Sequence, residues 1–192
     1  VYLVDSAGVF LPLQDQVFPD EDHFGRIFYN NARLSSIGIH QIACVMGPCV
    51  AGGAYLPVMC DKYVITEGAN MFLAAPALVK AAIGEEIDAE TLGGAHTHST
   101  ISGTADYQEK NDYESLKRIR KIVEHINFKK SNLFQRNKFE NNESNLDEIF
   151  NFIDFIKGEQ YDMMEIITRI VDNHIFEQYK ENYGKTIICG HC

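Results

Sequence analysis

The sequence predicts a layered α/β fold, because short apolar strands alternate with glycine-containing turns and helical segments. The 192 residues are 45% hydrophobic and 23% charged, which is ordinary for a globular chain able to bury a sizeable core. No apolar run approaches the ~20 residues that span a bilayer, so no membrane association is expected. The formal net charge of -10 argues against nonspecific binding of nucleic acid, but it leaves room for a local anion site.

The first half of the chain alternates between strand and helix signals. Residues 1–4 (VYLV) are a short apolar run that ends in a loop, as a buried strand does. Apolar positions at helical spacing predict a helix over residues 20–37, which Gly38 closes. The segments that follow are predicted in chain order as a strand at 41–46, a glycine turn at 47–53, a helix at 54–61, and strands at 63–66 and 71–73.

The second half is predominantly helical by the same criteria. Short helices are predicted at residues 78–83 and 87–92, the second of them stopped by Gly93 and Gly94. A longer helix over residues 112–127 carries an apolar stripe, which consists of Leu116, Ile119, Val123 and Ile126. Another amphipathic helix is expected over residues 161–172.

Residues 129–145 are rich in Asn, Lys, Ser and Glu, which is typical of a linker. We therefore predict three regions, namely residues 1–130, a linker at 131–160, and residues 161–192. The chain begins and ends inside strand-like segments, so the sequence is expected to be a fragment.

The most informative stretch is residues 46–55 (MGPCVAGGAY), where a buried strand meets a glycine pair and a helix starts at once. Amides in the first turn of a helix have no partner within the helix, and glycine lets a ligand approach them closely. Gly52 and Gly53 are therefore candidates for a site that stabilises a developing oxyanion, such as the enolate of a thioester. The alternative is a tight turn whose glycines serve packing alone. Neither a nucleotide-binding spacing nor a nucleophile elbow is present.

Other motifs are interpreted as structural. His96 and His98 could be metal ligands, but a polar loop with this pattern is more often solvated, and no metal site is predicted. The acidic run that ends at His23 is interpreted as a solvated helix start. The odd number of cysteines indicates reduced thiols, and Cys189 and Cys192 are interpreted as two free thiols despite their CxxC spacing.

Several stretches together resemble one family, the carboxyltransferase (β) subunits of biotin-dependent acyl-CoA carboxylases. They include residues 2–6 (YLVDS), 17–29 (VFPDEDHFGRIFY), 46–49 with 51–55, 78–82 (LVKAA), 92–95 with His98, and 161–162 with 170–172. The match follows the family's order along nearly the whole chain and is weak only at about residues 128–155. The FPDEDHFGRIFYN segment and the AGGAY order are similar to the methylcrotonyl-CoA carboxylase branch.

The resemblance implies a crotonase-like fold that is only partly present. Residues 1–130 would be an N-terminal carboxyltransferase subdomain truncated at its start, and residues 161–192 the beginning of the C-terminal subdomain. The implied reaction moves a carboxyl group from carboxybiotin to an acyl-CoA of the 3-methylcrotonyl or propionyl type, without a metal in this half-reaction.

The implied partners are a biotin carboxylase and biotin carboxyl carrier (α) subunit and further copies of the β subunit. Active sites of the family form between subdomains of two subunits, so the fragment alone is expected to be inactive. The implied location is the bacterial cytoplasm, or the mitochondrial matrix in a eukaryote.

The resemblance also assigns site residues. The oxyanion site for the acyl-CoA enolate falls on Gly52 and Gly53. The residues expected near acyl-CoA or biotin are Ser6, Ala7, Gly8, Ala51, Ala54, Tyr55 and Lys80. Three departures from the family pattern are Ala7 in place of a glycine, Cys60, and the ending Gly190-His-Cys192. A crotonase-like decarboxylase or hydratase and an inactive assembly module remain the alternatives.

Overall fold

A computed structural model describes residues 1–18, 23–126, 149–152 and 160–192 of the chain. The chain divides into two units, residues 1–127 and residues 128–192. The first unit contains a parallel sheet with helices packed on it, and the second contains short helices and a two-stranded antiparallel sheet. The predicted α/β architecture is therefore confirmed.

One long central strand organises the sheet of the first unit. The five strands are β1 (Tyr2–Ser6), β2 (Ile42–Val50), β3 (Lys62–Thr66), β4 (Asn70–Phe72) and β5 (Tyr107–Glu109). They run parallel in the order β1-β2-β3-β5, and β4 pairs with the far end of β2. Val45 of β2 pairs with Val4 of β1 and with Ile65 of β3. All three side chains are buried, as expected for a parallel sheet covered on both faces.

The central strand is longer than the sequence predicts. We expected a strand at residues 41–46 and a turn at 47–53, but β2 continues to Val50. Its extension pairs with β4, with Pro48 opposite Asn70 and Val50 opposite Phe72. Glycine and proline normally weaken a strand, so the local pattern hides this pairing. The turn before the next helix is reduced to Ala51.

Six α-helices belong to the described part of the first unit. They are α1 (Gln14–Val17), α2 (Phe24–Ser36), α3 (Gly52–Val58), α4 (Pro76–Ile83), α5 (Ala89–Gly93) and α6 (Asp112–His125). Asp88 caps α5 by accepting from the Thr91 amide at 2.9 Å, which stabilises the start of this short helix. After α5 the chain forms a π-helical segment, Thr97–Ile101, where we had expected a polar loop.

The buried face of α6 differs from the predicted stripe. Only Ile119 of that stripe is fully buried, and its buried neighbours are Ser115 and Ile122, whereas Leu116 is 40% exposed. The hydroxyl of Ser115 lies 2.8 Å from that of Thr66 on β3, so a small polar residue brings the helix close to the sheet. Periodicity that counts apolar residues alone cannot recognise such a contact. Strand β5, which pairs with the edge of β3 that faces away from β2, was likewise not predicted.

The second unit has little regular structure in its described part. It contains α7 (Ile149–Phe152), α8 (Met163–Ile170), β6 (Glu177–Tyr179) and β7 (Cys189–His191), with β6 and β7 antiparallel. Helix α8 confirms the helix predicted from residue 161, and most of the predicted linker lies outside the described residues. All five cysteines are free thiols. Among the described residues, no helix is both long and apolar enough to cross a membrane.

Candidate active site

A strained residue connects the central strand to the helix that follows it. Ala51 has φ 56° and ψ -125°, a conformation that residues with a β-carbon rarely adopt. Its N–H donates to the Phe72 carbonyl at 3.0 Å, and its own carbonyl accepts from the Ala54 amide at 3.0 Å. These two hydrogen bonds hold the turn on both sides. The conformation of Ala51 therefore sets the direction in which the next two amides point.

Gly52 and Gly53 are the first two residues of α3, so the helix itself offers no acceptor for their amides. Within the described residues no other acceptor contacts these two amides. Both glycines are half-buried, and both border a cavity of about 230 Å³. Helix α3 is only seven residues long, so the amides themselves contribute more than the helix dipole. The arrangement offers two hydrogen-bond donors to a ligand oxygen.

The cavity is apolar on most of its surface. Its hydrophobic lining comes from β1, α2 and α3 and consists of Leu3, Val4, Phe24, Ile27, Phe28 and Leu56. Asp5 and Ser6 contribute the polar side chains at its edge. A small apolar group attached to a polar atom would match this lining.

Sequence reasoning assigned the α2 aromatic residues to a helix face but not to a site. The sequence signal for these residues is their spacing, because Phe24 and Phe28 stand four residues apart and therefore lie on one face of the helix. Their rings contact each other edge to face, with the centroids 5.1 Å apart. The ring of Phe28 in turn contacts the ring of Tyr55 on α3 edge to face, with the centroids 6.1 Å apart. This aromatic row links α2 to α3 and fixes the wall of the cavity.

The two glycines of the site have different steric surroundings. A β-carbon on Gly52 would lie 2.6 Å from Cε1 of Phe24, so only glycine fits there while the ring keeps its place. A β-carbon on Gly53 would meet its nearest atom, the Ser6 carbonyl oxygen, at 3.9 Å. Gly53 is therefore not required by packing. Packing alone therefore explains the glycine at position 52 but not the glycine at position 53.

The loop after β1 lies beside the same turn. The Gly8 amide lies 3.4 Å from the Ser6 hydroxyl, and a β-carbon on Gly8 would be 3.5 Å from the Val50 carbonyl. Gly8 takes the positive φ, 102°, in this loop, whereas Ala7 does not. The alanine that departs from the family pattern thus needs no left-handed backbone. The structure brings Ser6 and Gly8 together with the turn.

The remaining predicted residues occupy different surroundings. The side chain of Ala54 is 4% exposed and packs in the core, which leaves no surface for a ligand. Tyr55 is exposed on α3, one turn beyond the amides. Lys80 lies on α4 in an exposed ion pair with Glu86 and does not line the cavity.

The ionisable groups near the turn do not supply a nucleophile. Cys49 is fully buried two residues before Ala51, and burial raises its pKa to about 11. The thiol is therefore neutral at physiological pH and unreactive. At the cavity edge the carboxylate of Asp5 lies against Gly47, where a β-carbon would collide with it. The cavity therefore combines the backbone amides of the turn with the side chains of Asp5 and Ser6.

His96, which directly precedes the π-helical segment, and His98 within it differ in environment. His96 is exposed, whereas His98 is half-buried and both of its ring nitrogens have hydrogen-bond partners. Among the described residues, no three His, Cys, Asp or Glu side chains lie together in a way that could hold a metal ion.

Comparison with known proteins identifies related chains. The model of the carboxyl transferase domain family matches residues 1–192. A probable mitochondrial methylcrotonoyl-CoA carboxylase beta chain of Drosophila melanogaster is 42% identical over 207 residues, which cover 99% of this chain and 36% of the relative. The beta1 subunit of a biotin-dependent 3-methylcrotonyl-coenzyme A carboxylase of Mycobacterium tuberculosis is 43% identical over 189 residues, covering 98% of this chain and 36% of the relative.

Among solved structures, transcarboxylase 12S superimposes with a TM-score of 0.83 at 26% identity, over 98% of this chain and 36% of that one. That protein was crystallised as a hexamer with hydrolysed methylmalonyl-coenzyme A bound. The chain spans about a third of the length of the curated relatives it matches.

Proposed function

This chain belongs to the carboxyl transferase domain family, and from that membership we propose that its complete protein transfers a carboxyl group from carboxybiotin to an acyl-CoA. The membership and the crotonase-like fold inferred from the sequence are confirmed by the family match and by the superposition on transcarboxylase 12S. The substrates, partners and site residues given below are part of the proposal.

The observation that carries the proposal is the pair of amides at Gly52 and Gly53. Both lack an acceptor within the described residues, and both border one cavity. A carbon next to a thioester becomes acidic when negative charge on the thioester oxygen is stabilised. Two amides aimed at that oxygen supply this stabilisation without rearrangement, and loss of one such donor costs about 2.7–4 kcal/mol in the transition state.

The cavity around these amides fits a CoA thioester with a short apolar acyl group. Phe24, Ile27 and Leu56 supply an apolar wall, against which such a group would lose water without burying a charge. This wall supports an acyl group of the 3-methylcrotonyl or propionyl type. Carboxybiotin, carried on a partner protein, would supply the carboxyl group. The chain's own residues would bind the thioester, orient the acyl group and hold the enolate charge.

Other parts of the proposal follow from the family. Residues 1–130 would belong to the N-terminal carboxyltransferase subdomain, 131–160 would be a linker, and 161–192 would be the start of the C-terminal subdomain. A biotin carboxylase and carrier (α) subunit and further β subunits would complete the enzyme. The location would be the bacterial cytoplasm or, as for the eukaryotic relatives, the mitochondrion.

Lys80 is the weakest element of the proposed site. It would have to exchange its ion pair with Glu86 for a CoA phosphate, and both side chains are more than half exposed. Exposed ion pairs contribute little, so this exchange would cost little. The Lys80→Met change should therefore raise KM for acyl-CoA modestly and leave kcat unaltered.

A hydratase would need two glutamates converging on the thioester. The adjacent pair Glu85 and Glu86 is exposed, and neither residue borders the cavity. Among the described residues, this adjacent pair thus does not support a hydratase.

The proposal is tested by assaying the complete protein with its biotin-carrying partner. Acetyl-, propionyl-, butyryl- and 3-methylcrotonyl-CoA would be supplied in parallel, with labelled bicarbonate and ATP, and carboxylated product would be measured. We expect the 3-methylcrotonyl or propionyl substrate to be preferred. Failure to carboxylate any of the four would contradict the proposal, and release of labelled CO2 from a carboxylated acyl-CoA would favour a decarboxylase.

A further inference from the structure

His98 makes hydrogen bonds that a solvated surface histidine would not make. Its Nε2 lies 2.7 Å from the Met71 carbonyl oxygen on β4. Its Nδ1 lies 2.8 Å from the Thr104 hydroxyl and 3.1 Å from the Ser102 hydroxyl, and these two hydroxyls lie 3.0 Å apart. The edge of the ring also contacts Tyr63, with the ring centroids 6.4 Å apart. The imidazole is therefore held at both nitrogens and along one side.

The partners of His98 fix which ring nitrogen carries hydrogen. The Met71 carbonyl can only accept, so Nε2 must donate to it. In the neutral ring Nδ1 is then an acceptor for a neighbouring hydroxyl, and the hydroxyls of Thr104 and Ser102 both lie within reach of it. Two hydroxyls therefore cluster at Nδ1, while Nε2 donates to one backbone carbonyl.

That carbonyl lies on the outer edge of β4, a strand of only three residues. On its inner edge β4 pairs with the end of β2. On its outer edge, Gly94 bridges to Asn70, and Gly93 packs so closely that a β-carbon would overlap the Met71 carbonyl. His98 supplies the side-chain donor on this edge. A strand this short depends strongly on each of these contacts.

The next residue of β4 connects this edge to the site. The Phe72 carbonyl accepts the Ala51 amide at 3.0 Å, the bond that holds the strained turn before Gly52 and Gly53. One peptide unit therefore separates the carbonyl held by His98 from the carbonyl that holds Ala51. If β4 moves outward, Ala51 loses its acceptor, and its unfavourable φ can relax.

We propose that His98 is a positioning residue for carboxyl transfer, which holds β4 so that Ala51 keeps the Gly52 and Gly53 amides directed at the thioester oxygen. This role rests on the proposed function of those two amides. His98 does not line the cavity. It acts through Met71, Phe72 and the turn.

The test uses three variants of the complete protein with its biotin-carrying partner. His98→Leu keeps bulk but removes the donor, whereas His98→Gln retains an amide that can reach the same carbonyl. His96→Leu is the matched control, because His96 is exposed and lies two residues before His98. Steady-state carboxylation and hydrogen exchange at the Ala51 amide are measured for each. Thermal unfolding identifies any variant that fails to fold.

We expect His98→Leu to lower kcat by about 10- to 100-fold, since small misplacements of a catalytic group have effects of this size. KM for acyl-CoA should stay within about twofold, because the change acts on the transition state rather than on ground-state binding. The Ala51 amide should exchange faster in this variant, and His98→Gln should restore both properties.

Unchanged exchange at Ala51 in His98→Leu would overturn the proposal, as would a His98→Gln variant no better than His98→Leu. Faster exchange with normal kcat would overturn it too, because the turn would then not control the reaction. Absence of carboxylation by the unaltered protein would instead contradict the proposed function. The exchange measurement would in that case still decide whether His98 holds the turn.

Discussion

Replacement of Gly53 by valine separates the chemistry of the turn from its packing. A β-carbon at this position has its nearest neighbour, the Ser6 carbonyl oxygen, at 3.9 Å, and the residue has no positive φ. Valine also has a somewhat better helix propensity than glycine, so we expect the variant to fold, which its thermal unfolding checks. The branched side chain would, however, occupy space next to the amide where the thioester oxygen is proposed to lie.

Loss of one of two such donors costs about 2.7–4 kcal/mol, which corresponds to a decrease in kcat of about 100- to 1,000-fold. The assay is carboxylation by the complete Gly53→Val enzyme, alongside its thermal unfolding. A folded variant with unchanged turnover would refute the assignment of the oxyanion site to this turn. Gly52→Ala is the informative companion, because its β-carbon would lie 2.6 Å from the Phe24 ring. It should lose stability as well as activity.

Three further predictions follow from the same region of the structure. Ala51→Gly should raise the free energy of unfolding by about 1 kcal/mol, since φ 56° and ψ -125° strain alanine but not glycine, and a lower thermal midpoint would contradict this. Phe24→Ala should open the cavity wall, raising kcat/KM for octanoyl-CoA relative to 3-methylcrotonyl-CoA by about tenfold, and an unchanged ratio would show that Phe24 does not limit the acyl group. Burial raises the pKa of Cys49 from 9.0 to about 11, so the neutral thiol is favoured in the folded state and its contribution to stability is complete below pH 9. That contribution should be lost as the pH rises from about 9 to about 11, and denaturant titrations of wild type and Cys49→Ala over this range would reveal the difference.

The sequence predicted most of the fold because its strong signals are local. Residues 42–45 form a continuous apolar run, which identified β2. Gly38 marked the end of α2, and in the structure this glycine has a positive φ of 76°. Prediction failed where a distant partner determines the structure. The extension of β2 to Val50 depends on β4, and the close approach of α6 depends on a hydroxyl pair between Ser115 and Thr66.

The candidate site was predicted in part for the same reason. A strand, a glycine pair and a helix are visible in sequence, so the position of Gly52 and Gly53 could be proposed at once. The aromatic wall could not, because Phe24 and Phe28 belong to α2 and reach the cavity only after the strands are assembled. The role inferred for His98 was equally hidden, because it depends on a carbonyl 27 residues earlier in the chain.

The most direct test of the oxyanion site is a crystal structure of the complete protein with a non-hydrolysable acyl-CoA analogue bound. We predict that the oxygen standing for the thioester carbonyl lies about 2.7–3.1 Å from the amide nitrogens of Gly52 and Gly53, with the acyl group against Phe24. An analogue bound with that oxygen directed elsewhere, while both amides face solvent or protein acceptors, would contradict the site.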